Sequence, residues 1–472
     1  MADMAAGRAI VEALRAEGVE YVFGLVGTTT NSIVTELYGR TDIKFLDTRH
    51  EEGAAFMAYG YARASGKPVV CLTTSGPGTI NLATGISLAY KGHAPVVAIA
   101  GDTAQSYIGR DGSQAFDLVN VFKPITLMSH QVNQTARIPE AVHNAFRTAL
   151  SGKRGPVLLD IPRDLVDGQY IQEGTLQPSS YRPVENRVQG DANAIQQAVA
   201  MLTQAQRPLL LAGGGIIDSE ASQDAVELAE LLDMAMVPSY GHNDAVPNSH
   251  RLYVGPPGGR GAGEAGQAPN QADVIVALGS RINQGTTSWD NGVINPETQI
   301  IQVDIDPQEV GRNHPVACGI TGDAQAVARQ LIQALREQFP EGKANPQWRG
   351  QIETLASQRR SRLAAEVELT ANPMMPQRFY LELAKVLPKD CMVTIDAGVA
   401  AGLSYDRISY EMPRTMFNYS GQGGLGMGLG VGLGTKVGRP DRPAISIQGD
   451  GGFLYTSQDC LLYTSPSPRD RG

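Results

Sequence analysis

Short uninterrupted apolar runs alternate along this chain with stretches whose apolar positions recur every three or four residues. "KPVVCLTTSGPG", "APVVAIAGD" and "GPVLLDIPRD" each carry such a run into a glycine or an acid. Runs this short, rich in valine, isoleucine and leucine and closed by turn residues, predict strands buried on both faces. The helical patterns between them predict crossovers, and therefore a parallel sheet. The theme returns twice. A first block, 1–168, is followed by a second, 190–340, with "RPLLLAGGG", "ADVIVALGS" and "TQIIQVDIDP", and by a third, 360–459, from "CMVTIDAG" to "RPAISIQGDGG". The expected fold class is α/β, three doubly wound parallel-sheet domains with the last incomplete. The polar stretch "EGTLQPSSYRPVENRVQGD" predicts a linker, and "QWRGQIETLASQRRSRLAAEVEL" a charged helix before the third block.

Composition narrows the function classes. A chain of 472 residues is expected to divide into roughly three domains, each able to bury a core. Its net charge of −9, without a basic run, argues against nucleic acid and anionic membrane surfaces as partners. The opening segment sets Arg8, Glu12, Arg15 and Glu17 among apolar positions at helical spacing, which predicts a surface helix and not a signal peptide. No apolar stretch reaches the roughly 18 residues of a membrane span, so a cytoplasmic protein is expected. Cys71, Cys318, Cys391 and Cys460 lie far apart with no C-x-x-C pair, as scattered core thiols do.

Stretches in all three blocks carry candidate chemistry. "RHEEGAAFMAYGYA" places Glu51 at the mouth of an otherwise small and apolar helix. Acids there commonly oppose the helix dipole; a carboxyl walled by Ala54, Ala55, Phe56 and Met57 could also share a proton with a ligand nitrogen. In "TTSGPGTIN", Pro77 fixes a turn while Gly76 and Gly78 leave room for a flat ligand, although a plain strand-to-helix elbow reads the same way. "SGQGGLGMGLGVGLG" is too apolar for a linker and predicts a close-packed helix start. "IQGDGG" puts Asp450, a hard oxygen ligand, between Gly449 and Gly451 at a strand end, where a cation could bridge to a diphosphate. In the second block, "AGGGIID" and "GPPGGRGAGEAG" miss the G-x-G-x-x-G setting and read as tight turns, and Asp304 and Asp306 of "VDIDP" suit either a ribose or a helix cap.

Taken together and in their order along the chain, these stretches resemble those of thiamine-diphosphate-dependent enzymes of the acetolactate synthase type, which include benzoylformate decarboxylase and sulfoacetaldehyde acetyltransferase. The resemblance runs from residue 1 to about 459 and implies pyrimidine-binding, central and diphosphate-binding domains in that order. It implies further that Glu51 hydrogen-bonds the cofactor's pyrimidine ring, that Pro77 and Asn81 line that ring, and that Gly423 and Leu425 supply an accepting carbonyl and an apolar wedge. Gly449, Asp450 and Gly451 would meet the diphosphate, with Asp450 as a Mg²⁺ ligand. The activity implied is decarboxylation of a small 2-keto acid, in a homodimer or homotetramer with sites between subunits. "GRDGSQAFD" resembles the acetolactate synthase loop "GRDAFQEFD" and keeps Gln114, while Thr74 stands where benzoylformate decarboxylase has a histidine. Carboligation is therefore expected over simple protonation to an aldehyde. An acyltransferase of the sulfoacetaldehyde type, a benzoylformate decarboxylase-like enzyme and a non-catalytic binding subunit are the alternatives.

Departures bear on cofactor and acceptor. The G-M-H-G turn and the F-D-D-R of acetolactate synthases are missing, with Gly285 in place of that arginine, so FAD and the second substrate stay open. The family's second magnesium ligand is an asparagine about 25 to 30 residues past the GDG aspartate, and no asparagine follows Asp450 here. "CLLYTSPSPRDRG", residues 460–472, has no periodicity and is expected to be a non-native tail on a truncated reading frame that binds the cofactor weakly.

Overall fold

The computed structural model describes residues 3–171, 187–258, 261, 263–288 and 292–460. Most of the expected linker and residues 461–472 of the expected tail lie outside the described residues. The chain forms two compact units, Met1–Val184 with Tyr419–Gly472, and Glu185–Asn418. The third block of the sequence thus contributes to both.

The first unit is built on a six-stranded sheet in the order Lys44–Asp47, Tyr21–Gly24, Val69–Thr73, Val96–Asp102, Val157–Pro162, Met128–Gln131. Every neighbouring pair is parallel, with Cys71 opposite Ala98 and Ala98 opposite Leu158 at the centre. The central strands are buried along their whole length, which is why they read as continuous apolar runs. A two-stranded antiparallel pair, Asp3–Ala5 with Gln169–Ile171, stands apart from this pattern.

The helix Glu51–Ser65 and the glycine-rich helix Met427–Gly438 also belong to this unit and pack on one another. Alternate glycines on a helix fall into stripes four residues apart. Along one stripe, an added Cβ at Gly430 would stand 2.7 Å from Phe56 Cβ, at Gly434 1.9 Å from the Met57 carbonyl oxygen, and at Gly438 3.0 Å from that of Tyr61. From the other side, a Cβ at Gly60 would meet the Val431 carbonyl oxygen at 2.2 Å. The alternation predicted a close-packed helix; its partner is the helix that carries Glu51.

The second unit holds a five-stranded parallel sheet, ordered Ala235–Pro238, Pro208–Ala212, Val274–Leu278, Gln299–Asp304, Cys318–Thr321. Helices such as Ser222–Leu231 and Ala324–Gln338 cover it, and Trp348 of Pro346–Val367 is buried in its core. A short third sheet includes Met392–Ile395 and Met416–Phe417, again in parallel. The fold is α/β with three parallel sheets, as the apolar runs predicted. Among the described residues the four cysteines are free, and no helix is long and apolar enough to cross a membrane.

Candidate functional site

Glu51 begins its helix one residue after His50, whose Nδ1 accepts the Glu52 amide at 3.2 Å and caps the first turn. Because the residues that follow are small or apolar, the helix sinks into the unit and Glu51 retains only 6% of its exposure. A carboxylate so enclosed needs a donor. Asn81 Nδ2 supplies it, to Oε2 at 3.0 Å. Glu51 Oε1 turns toward Gly78, where an added Cβ would stand 3.1 Å from it and 2.8 Å from Thr74 Cγ2. Gly78 thereby leaves open the one face of the carboxyl that Asn81 does not hold.

Pro77 occupies the first position of the short helix Pro77–Ile80, after Gly76 at φ 60° and ψ −117°, a backbone shape suited to glycine. Gly76 also admits the loop bearing Gln114: a Cβ there would meet the Gln114 carbonyl oxygen at 2.7 Å. Ser75 Oγ donates to Gln114 Oε1 at 2.9 Å, and Gln114 is itself exposed at φ 62°. Glu51, Pro77, Asn81 and Gln114 thus gather around one turn. Sequence reasoning passed over Thr29, which is buried with its Oγ1 3.0 Å from Thr74 Oγ1 and accepts the Ser75 amide at 3.1 Å. The hydroxyl run "GTTTN" directly after the strand Tyr21–Gly24 was the available signal.

Gly423 and Leu425 lie in the turn 419–426, where Ser420, Gly421, Gly423 and Gly426 all have positive φ. Ser420 Oγ is 2.9 Å from Tyr59 OH, and Gln422 Nε2 donates to Ser87 Oγ at 3.1 Å, so the turn is tied to two helices of the same unit. Leu425 is 43% exposed, an apolar side chain held outward by its backbone. Asp450 opens the helix Asp450–Tyr455 and is exposed, as are Gly449 and Gly451, at which an added Cβ would meet nothing within 4 Å. These three residues present bare amides and one carboxylate, a donor set suited to a diphosphate and a hard cation. Among the described residues no group of three or more His, Cys, Asp or Glu gathers to hold a metal ion.

Four carboxyls of the first unit, Glu52, Asp102, Asp160 and Asp459, are held above their ordinary range. Burial raises Glu52 and Asp459, and it raises Asp160 to about 7 with the Asp102 charge adding to the effect. Asp102 and Asp160 share one donor, Gln131 Nε2, at 3.3 and 2.7 Å.

The glycine turn of the second unit offers no comparable cradle. The Gly213 amide donates to the Leu278 carbonyl, Gly215 to Gly279, and Ile216 to Gly213. A Cβ at Gly214 would lie 2.6 Å from the His242 imidazole, and one at Gly213 only 2.0 Å from the Gly279 oxygen. These glycines let two neighbouring strand ends lie close together, the amides of Gly213 and Gly215 are spent on the chain's own carbonyls, and the His242 ring lies against Gly214. The residues do not fit a dinucleotide diphosphate at this turn.

Residues 4–121 match the family described as "Thiamine pyrophosphate enzyme, N-terminal TPP binding domain", 195–331 the corresponding central domain, and 396–462 the C-terminal TPP binding domain. The chain is 36% identical over 467 residues to a probable acetolactate synthase large subunit of Methanocaldococcus jannaschii, covering 97% of this chain and 77% of that protein. It is 32% identical over 459 residues to the acetolactate synthase large subunit of Corynebacterium glutamicum, with coverage of 97% and 72%. The Haemophilus influenzae large subunit is 30% identical over 469 residues, with coverage of 98% and 80%.

Proposed function

The chain belongs to the thiamine-diphosphate enzymes that include the acetolactate synthase large subunits, and on that premise we propose that it decarboxylates a small 2-keto acid and joins the remaining carbon unit to a second carbonyl. Thiamine diphosphate, when bound, supplies a nucleophilic ring carbon and an electron sink for the departing carboxylate. Glu51 is the residue that hydrogen-bonds the pyrimidine ring and exchanges a proton with it. Asn81 holds one carboxyl oxygen so that the other keeps its direction, and Gly78 leaves space in front of it. Pro77 and Leu425 offer apolar walls, Gly423 a backbone carbonyl, and Asp450 an oxygen for Mg²⁺ beside the amides of Gly449 and Gly451.

Gln114, docked on Ser75 and Gly76, would meet the acceptor at the same turn. Thr74 carries no ionisable proton at physiological pH, which supports ligation over protonation. Assembly as a homo-oligomer, with each site completed by a second subunit, fits the family. The observation that carries this reading is the buried Glu51 carboxyl, fixed by Asn81 and facing a glycine. Isothermal titration with thiamine diphosphate and Mg²⁺, followed by incubation with pyruvate, tests it. Acetolactate should form, slowly and with weak cofactor binding, and Glu51→Gln should abolish it. Phosphate-dependent consumption of sulfoacetaldehyde, with sulfite leaving and acetyl phosphate formed, would move the assignment to acyl transfer, and undiminished turnover by the variant would remove Glu51 from its role.

A further inference from the structure

We propose that Asp459 is a positioning residue, whose buried carboxylate braces the turn carrying Glu51 and ties it to the turn carrying Leu425. This rests on the reading of Glu51 given above and concerns how that residue is held. Asp459 has no exposed surface, although it stands 410 positions from the backbone it meets. Its Oδ1 accepts the Arg49 amide at 3.2 Å, two residues before Glu51. Its Oδ2 lies 2.0 Å from where a Cβ on Gly53 would be, so the carboxylate rests on the bare backbone of the first helical turn.

Placement there suits a negative group, since a helix N-terminus carries partial positive charge. Yet Oδ2 is buried and has no hydrogen-bond partner among the described residues. Leaving a polar atom in that condition costs about 1–3 kcal/mol, so packing alone would favour an apolar side chain. The carboxylate is better explained by what it connects. On its other side the Asp459 amide donates to the Thr456 carbonyl at 3.0 Å, and Thr456 Oγ1 donates to the Gly426 carbonyl at 2.7 Å. A short chain of hydrogen bonds therefore runs from Gly426, next to Leu425, through Thr456 and Asp459 to Arg49, next to the Glu51 turn. Two candidate cofactor-touching residues from opposite ends of the sequence are set relative to each other through the side chains of Asp459 and Thr456.

The test uses the full chain with Asp459→Asn, Asp459→Ala, Gly53→Ala and the double variant Gly53→Ala/Asp459→Ala. Amide hydrogen exchange, read without cofactor, should speed up by about tenfold or more for residues 49–53 in Asp459→Ala and in Gly53→Ala, whose methyl group evicts the carboxylate. Exchange in 58–65 should not change. Asp459→Asn keeps an acceptor for the Arg49 amide and should restore slow exchange. The double variant fills the vacated space with a methyl group, so its thermal midpoint should recover while exchange at 49–53 stays fast and kcat stays low at unchanged KM for pyruvate. Unchanged exchange in Asp459→Ala overturns the brace. Recovery of kcat together with thermal stability in the double variant overturns positioning and leaves a packing role. Absence of pyruvate turnover in the parent chain counts against the reading of the site, while the exchange data still decide the brace.

Discussion

Replacing Asp160 by asparagine should make the protein more stable at alkaline pH and nearly unchanged at acid pH. Asp160 is 1% exposed on the strand Val157–Pro162, and its Oδ1 is buried without a hydrogen-bond partner among the described residues. Burial, then the charge of Asp102, lifts its carboxyl from 3.8 to about 7. The folded state therefore holds this proton over a range where the unfolded chain has released it. The stabilisation is complete below the unfolded value and drains away as pH rises through about 7. A difference of about three pH units, at about 1.4 kcal/mol each, sets a ceiling of about 4 kcal/mol between pH 4 and pH 8. Asparagine keeps an acceptor for Gln131 and carries no charge, so it should remove the share of the dependence that Asp160 contributes, leaving that of Asp102, Glu52 and Asp459. Urea unfolding followed by circular dichroism at several pH values measures it. A parent midpoint that does not fall between pH 5 and pH 8, or a variant less stable than the parent at pH 8, would refute the argument.

Gly434→Ala places a methyl carbon 1.9 Å from the Met57 carbonyl oxygen, with backbone on both sides of the clash. A loss of about 3 kcal/mol or more is expected, seen as a lowered thermal midpoint, and an unchanged melt would show that the two helices do not cross as described. Asn81→Ala removes the donor to Glu51 Oε2 and should lower turnover of pyruvate more than it lowers stability, since the cost of the lost hydrogen bond is about 1–2 kcal/mol. The purified protein should show no flavin absorbance and no heat on titration with FAD, because the amides of Gly213 and Gly215 are already engaged and His242 lies against Gly214; equimolar bound flavin would reverse that assignment.

The sheets were legible because a strand covered on both faces must be apolar throughout, and "VVCLT" and "VVAIAGD" leave no other solution. Glu51 was legible for a similar reason, as a charge in a run too apolar to keep it in water. The braces were not. Asp459 meets Arg49 and Gly53 across almost the whole chain, and nothing in "TSQD" separates a structural carboxylate from a surface one. Gln131 joins Asp102 to Asp160 only because three parallel strands end side by side, and that register is a property of the folded sheet. Likewise the hydroxyl of Thr29 acquires meaning only when Thr74 and Ser75 arrive beside it.

Glycine shows most directly why motifs alone cannot assign the site. "AGGG", "GLGMGLGVGLG", "SGPG" and "GDGG" are all glycine-rich, and glycine content by itself does not separate a tight turn or a close helix crossing from a ligand cradle. What occupies the place of the missing Cβ separates them. At Gly213 it is the Gly279 carbonyl and at Gly434 the Met57 carbonyl, so these glycines serve the crossing of two backbones. At Gly78 it is the Thr74 methyl at 2.8 Å and the Glu51 carboxyl at 3.1 Å, and at Gly449 and Gly451 nothing lies within reach. Only the last two situations leave a polar group facing free space, and both lie in the first unit, on the segments that the family match assigns to its two TPP binding domains. A methyl group at Gly213 should therefore damage folding and leave any ligand affinity of the folded fraction intact, whereas one at Gly78, pressed against Glu51 Oε1, should spare the fold and remove the chemistry.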